Sequence, residues 1–422
     1  MRIKFTFVVI ILALFAFYFL NDSLVASAKK TIERKVFPMD LSYETMEAKN
    51  SLNQIRQSMG MIRLESNDEL KKASKAHAKY MLANREYSHY ETEGKSNFTG
   101  VKPIDRAFSA GYNTHGVSEN LSSKNYSAQS SLDGLFSAIY HRFGFLSPKI
   151  DEIGIAIDQD ENNPKNSTFV YLMGNSRLNA LCSGKSFNRN GRYVYGVCID
   201  KKHRIFERTY KKAINENMKY SPKIIVYPYD GQEDIFPAFY TETPDPLPNH
   251  EVSGFPMSIE FNEYYFKDVE LVSFKLFKDE EEVTDILHMD KSSDPNARFT
   301  SHQYAIFPLK RLEYATTYRV EVEYISQKKE HSISWSFKTR VPEGKLHTIN
   351  KKEQYITMDS TSSQILYFKP FDEHNIIKSL NFPTFVNAEF IDNNTFRVNL
   401  MEGFKDSFDI KTKNRVVHIE VK

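Results

Sequence analysis

Near residue 150 the apolar residues of this chain change period, from the three-to-four spacing of helices to the alternate spacing of strands. That switch limits the fold more than any other feature. Before it, Leu52, Ile55 and Met59 recur on one helical face, and Gly60 is placed to end that helix. Ser66 and Glu69 read as a capping box ahead of Leu70, Ala73, Ala76, Tyr80 and Met81. Pro103 suits the start of a third helix and Gly111 its stop. Leu132, Leu135, Phe136 and Ile139 mark a fourth, ending near His141 and Pro148. After the switch, Ile153, Ile155 and Ile157 alternate with small or polar residues, and Thr168 to Met173 predicts a second strand. Helices followed by antiparallel strands predict an α+β or layered α/β/α sandwich over residues 45–180.

The remainder is β-rich. Strands are expected at Lys223–Tyr227, Met257–Phe261, Val269–Phe277, Tyr304–Pro308, Thr317–Tyr324 and Ile333–Phe337, separated by turn clusters such as Asp294-Pro295-Asn296. Short strands at this spacing read as an all-β immunoglobulin-like sandwich over 221–341, with the sole tryptophan, Trp335, in its core. Pro342-Glu343-Gly344 reads as a linker to a small C-terminal β-domain, 345–422. A length of 422 residues suits such a multi-domain chain.

Compartment is signalled at both ends of the first domain. Arg2 and Lys4 precede an apolar run from Phe5 to Leu20, and Ala26-Ser27-Ala28 follows. Residues 1–28 therefore read as a signal peptide or, if uncleaved, a membrane anchor, and the rest as exported: extracellular, periplasmic or held at the cell envelope. Cys182 and Cys198 are the only cysteines and flank Asn190-Gly191, a hairpin turn signal. An oxidising compartment favours a disulfide between them over free thiols or half a metal site. Residues 181–220 are then expected to be a disulfide hairpin with a connecting helix. A net charge of +2 offers no basic face overall, so no nucleic-acid partner is expected; the membrane is expected as a partner only through the N-terminal segment.

One set of titratable residues stands at element ends: His89 past the second helix, Glu119 after the Ala110-Gly111-Tyr112 stop, and His141 at the end of the fourth helix. Two imidazoles and a carboxylate suit a divalent metal such as Zn²⁺, with Glu119 a ligand or the partner of one; the same set suits acid–base chemistry around a water. His77, among alanines, reads as a core histidine, and His115 as a loop residue.

Ser51–Ile157 resembles a bacterial CAP (SCP-like) domain, of the cysteine-rich secretory and pathogenesis-related superfamily. The matching stretches are Leu52-Asn53-Gln54-Ile55-Arg56, Ala76-His77-Ala78-Lys79-Tyr80-Met81, Tyr87-Ser88-His89, Asp105-Arg106 with Ala110-Gly111-Tyr112, Ser118-Glu119-Asn120, and His141-Arg142 leading to Ile153-Gly154. The resemblance implies an α/β/α sandwich and a cleft with two histidines and two acids. His89, Glu119 and His141 match three of those places; the fourth falls near Ile139, where the helix has no carboxylate, and Phe136 stands at the family's tryptophan. The family implies a binding module for an envelope component, a lipid or a peptide, presented by the β-domains. A metal-dependent hydrolase of peptide or cell-wall material, with Glu119 as base, is the alternative. A structural surface protein with a vestigial cleft is a third reading.

Overall fold

The computed structural model describes residues 37–372, 376–383, 385–401 and 403–422. The predicted signal or anchor, residues 1–28, lies outside them. Among the described residues no helix is long and apolar enough to cross a membrane. The chain divides into two compact units, one ending at Arg340 and one spanning Val341–Lys422.

The first unit opens with helix α1 (Leu41–Ser58), whose N-terminal amides at Ser42 and Tyr43 are capped by the Asp40 carboxylate. Helix α2 (Asp68–Asn84) is capped by Asn67, whose side chain accepts from the Leu70 amide. The capping box expected at Ser66 is displaced by one residue because strand β1 (Glu65–Ser66) is drawn into a sheet beside Glu152 and Ile153. Helix α3 (Pro103–Ala110) starts on proline and ends on Gly111, at φ 109°. The fourth predicted helix is two: α4 (Ala128–Ser137) and α5 (Ile139–Phe145) break at Ala138, which takes extended φ/ψ.

The sheet between these helices has the order β1-β3-β4-β2, with β2 at Ser118–Ser123, β3 at Glu152–Gln159 and β4 at Ser167–Gly174. β1 runs parallel to β3; the other pairs are antiparallel. Period-two alternation divides its faces. Ile153, Ile155, Ile157, Phe169, Tyr171 and Met173 join the core with α1 and α4; Ala156, Val170 and Leu172 meet α2 and α3. A Cβ on Gly154 would lie 2.1 Å from the Leu70 backbone, so α2 can seat on the sheet only over glycine. Arg56 is fully buried and donates to the carbonyls of Ile62, Phe145 and Ser147, which ties α1 to the turn after α5; burial pushes its guanidinium down to about 9.

Cys182, in helix α6 (Ser176–Ser183), is bonded to Cys198. The expected hairpin about Asn190-Gly191 does not form. Tyr193–Val194 pairs instead with Ile205–Phe206, and Cys198 bridges back to Thr114, so the disulfide fastens a helix end to the first domain's edge. Helix α7 (Glu207–Lys219) follows. Closing a loop of separation 16 removes unfolded-state entropy, so the Cys182→Ser/Cys198→Ser pair is expected to lose about 3 kcal/mol, seen as a lowered urea midpoint.

Residues 224–339 form the immunoglobulin-like sandwich. A four-stranded sheet, centred on Met257–Phe261 and Gln303–Pro308, faces a five-stranded one centred on Glu270–Lys278, Thr317–Ser326 and Lys329–Thr339. Trp335 is buried in this core. The same hydrophobic cluster contains Leu132, Phe136 and Phe145 of α4 and α5 together with Tyr227, Phe255 and Met257 of the sandwich. Phe136 stacks on Tyr227 at 4.9 Å. The two layers predicted as separate domains thus share a core. The second unit, Val341–Lys422, is a four-stranded and a three-stranded sheet around Leu366, Phe368, Phe396, Ile410 and Ile419.

Candidate functional site

Glu119 sits on β2, paired with Leu172 of β4, and its carboxylate is 1% exposed. A buried anion needs partners. Arg106, on α3, donates through Nη2 to both Glu119 oxygens, at 2.9 and 2.8 Å, and through Nη1 to the His89 carbonyl at 3.1 Å. One guanidinium therefore holds both the acid and the loop that carries His89. That loop begins where α2 ends on Arg85 in the left-handed conformation, at φ 54°. The His89 ring places Nδ1 3.0 Å from Glu119 Oε1. Burial alone pushes the Glu119 carboxyl up, but the His89 hydrogen bond and the Arg106 charge outweigh it and hold it below the usual carboxylate range.

His77, expected as a core residue, is fully buried behind this group. Its Nδ1 is 2.9 Å from Glu91 Oε1 and its Nε2 is 2.9 Å from the Ser88 carbonyl, so both ring nitrogens are engaged. Glu91 also accepts from the Thr99 amide at 2.7 Å. Burial favours its neutral form, yet His77, Thr99 and Arg106 together keep its carboxyl low. This inner layer is a brace for the His89 loop.

His141 comes from the other side. It lies in the first turn of α5, and its ring stands 6.2 Å from that of His89, centroid to centroid, at an interplanar angle of 23°. The carboxylate lacking near Ile139 is supplied from 101 residues downstream, by Glu242, whose side chain is fully buried. Glu242 Oε1 lies 2.7 Å from His141 Nδ1 and accepts from the backbone amides of Tyr140 and His141 at 2.9 and 3.1 Å. It therefore caps α5 in place of any side chain of its own helix, and a negative charge there is favoured by the helix dipole. Sequence reading missed Glu242 because nothing local in Thr241-Glu242-Thr243-Pro244 marks it; only the shared core brings it to the cleft. Around it, Tyr140 donates to Asp294, and Asn120 of β2 donates to the His141 carbonyl at 2.7 Å.

The three predicted residues thus meet, with roles separated by geometry. Glu119 has both oxygens engaged behind His89, by Arg106 and the His89 ring. Each exposed imidazole turns Nδ1 to a buried carboxylate, an acceptor only, so each neutral ring carries its proton on Nδ1 and its lone pair on Nε2. Both Nε2 atoms are without a protein partner among the described residues, and the side chains of His89 and His141 are 35% and 14% exposed. Carboxylate-backed imidazoles are the usual donors to Zn²⁺ and related ions. A metal here would rest on these two nitrogens, with its other positions open: among the described residues no three His, Cys, Asp or Glu side chains are grouped to hold one.

Comparison with known proteins assigns the first domain to one family. The family model described as CAP, the cysteine-rich secretory protein family, matches residues 49–175. No curated protein matches the chain. Among solved structures, similarity is found to an outer surface protein of Borrelia burgdorferi (19% identity, 33% of this chain and 98% of that one, TM-score 0.29). It is also found to an extracellular protein with an SCP domain from Bacillus anthracis (15%, 34% and 45%, TM-score 0.29). A third is a cysteine-rich secretory protein of Staphylococcus aureus (15%, 34% and 43%, TM-score 0.26). The chain spans less than half the length of the latter two.

Proposed function

With residues 49–175 a CAP domain, we propose that the chain is an exported cell-envelope binding module whose cleft holds a divalent cation on the Nε2 atoms of His89 and His141. The observation that carries this reading is the pairing of each cleft imidazole with a buried carboxylate, Glu119 on one side and Glu242 on the other. Such pairing fixes the tautomer and raises the basicity of the free nitrogen, which suits a ligand more than a surface histidine. Export is supported by the charged, apolar and small-residue order of residues 1–28, by the disulfide, and by the family's description as secretory.

A bound Zn²⁺ supplies Lewis acidity to whatever coordinates its open positions. The chain's own residues orient the two imidazoles and keep their Nδ1 sides dry. The hydrolase alternative needs a base free to take a proton from water. Glu119 is not such a group: it is buried, and Arg106 and His89 occupy its oxygens. Binding is therefore favoured over turnover. Calorimetric titration of Zn²⁺ into the chain from Lys29 onward is expected to show one equivalent bound, with the heat lost in both His89→Ala and His141→Ala. Absence of binding in the parent chain, or binding that survives both substitutions, overturns the reading.

A further inference from the structure

Between Ser183 and Lys219 ten lysines and arginines stand against three acids, a net charge of +7 in a chain whose total is only +2. Most of these cations make no ion pair among the described residues. Lys185, Arg189, Arg192, Lys201, Lys202 and Arg208 are exposed, and none lies within ion-pair distance of an acid among the described residues; of the segment's basic groups only Lys211 is paired, with Glu207 one helical turn away. Overall composition hides this segment because the rest of the chain carries the compensating negative charge.

The segment is also built to hold its shape. The Cys182–Cys198 bond closes it, Tyr193–Val194 pairs with Ile205–Phe206, and Phe187 stacks on Phe206 at 5.1 Å. On this rigid base two tyrosines face solvent: Tyr193 is 40% exposed and Tyr195 56%, their rings edge to face at 5.2 Å. Tyrosine joins an apolar ring to a polar hydroxyl, and with surrounding lysine and arginine it is the side chain that settles at the headgroup level of a membrane. A strand of nucleic acid would instead need open ring faces for its bases. Here the Tyr193 ring already carries the Arg204 guanidinium at 5.1 Å and abuts Tyr195.

We propose that this disulfide-tied basic segment is a docking surface for an anionic phospholipid bilayer, with Arg189, Arg192, Lys201 and Lys202 at the headgroup phosphates and Tyr195 at the interface. The attachment is distinct from the cleft and independent of any anchoring by residues 1–28. Each basic side chain at such a surface contributes about 1 kcal/mol, so several together give binding that rises with the anionic lipid content and falls with salt.

The test is sedimentation of the chain from Lys29 onward, which contains every described residue, with vesicles of phosphatidylcholine alone or mixed equally with phosphatidylglycerol. The expected result is association with the anionic vesicles only and release at high salt. The Arg189→Ala/Arg192→Ala/Lys201→Ala/Lys202→Ala variant is expected to bind about a hundredfold more weakly or worse, with an unchanged far-ultraviolet spectrum. Tyr195→Ser, which leaves every charge in place, is expected to weaken binding as well. Failure to sediment with phosphatidylglycerol vesicles, binding untouched by the four substitutions, or binding to soluble polyphosphate but not to vesicles overturns the proposal.

Discussion

Arg142→Ala is expected to destabilise the unit ending at Arg340 by about 3–5 kcal/mol, a large share of the stability of any domain. Arg142 leaves α5 fully buried. Its guanidinium donates to the Phe136 and Pro256 carbonyls, at 2.6 and 2.7 Å, and lies between the rings of Tyr227 and Phe255, at 5.0 and 4.7 Å. Phe136 belongs to the CAP layer and the other three to the sandwich, so this side chain joins the two. Truncation leaves a cavity and removes the donor from the Phe136 and Pro256 carbonyls and the Ser258 hydroxyl. Against these stands relief of a buried cation, whose guanidinium burial pushes down to about 9. The two contributions separate in a second variant: Arg142→Met fills the space without the charge and is expected to lose clearly less than Arg142→Ala. Urea unfolding of both variants measures the difference.

Glu242→Gln is expected to weaken divalent-metal binding about 10–100-fold, the usual effect of removing a carboxylate behind a ligating histidine. The amide keeps the volume and still has an oxygen to accept the Tyr140 and His141 amides, so the helix cap is largely retained. What is lost is the negative charge beside His141 Nδ1, which raises the basicity of Nε2. Calorimetry on this variant beside the parent chain gives the ratio. Unaltered affinity would make Glu242 a helix cap and nothing more.

Much of the first domain could be read locally. The Leu52, Ile55, Met59 stripe, the Pro103 and Gly111 boundaries and the alternation of Ile153, Ile155 and Ile157 each express one element's own periodicity or capping, and each is found in place. The motif pieces that resemble the CAP family contain Arg106, His89, Glu119 and His141, so the convergence of that side of the cleft was legible too. Misreadings arose where a distant segment decides. Ser66 is taken by a strand, leaving the cap to Asn67. Tyr193 pairs with Phe206 and passes over the nearby Asn190-Gly191 turn. Ala138 breaks a continuous helical stripe, and the new helix is capped by Glu242. The fourth acid of the cleft escaped for the same reason: it belongs to the sandwich, and only the packing of Phe136 and Phe145 against Tyr227, Phe255 and Met257 brings it within reach.

Two buried carboxylates, one from each layer of the shared core, turn both cleft imidazoles so that Nε2 is bare. The tautomers report this directly. In metal-free protein at a pH where the rings are neutral, long-range nitrogen–proton correlation spectra of ¹⁵N-histidine-labelled chain, assigned with His89→Ala and His141→Ala, are predicted to show His89 and His141 protonated at Nδ1, with His141 losing that preference in Glu242→Leu, which offers no acceptor. Protonation of either ring at Nε2 in the parent chain, or a His141 tautomer indifferent to Glu242, would contradict the account.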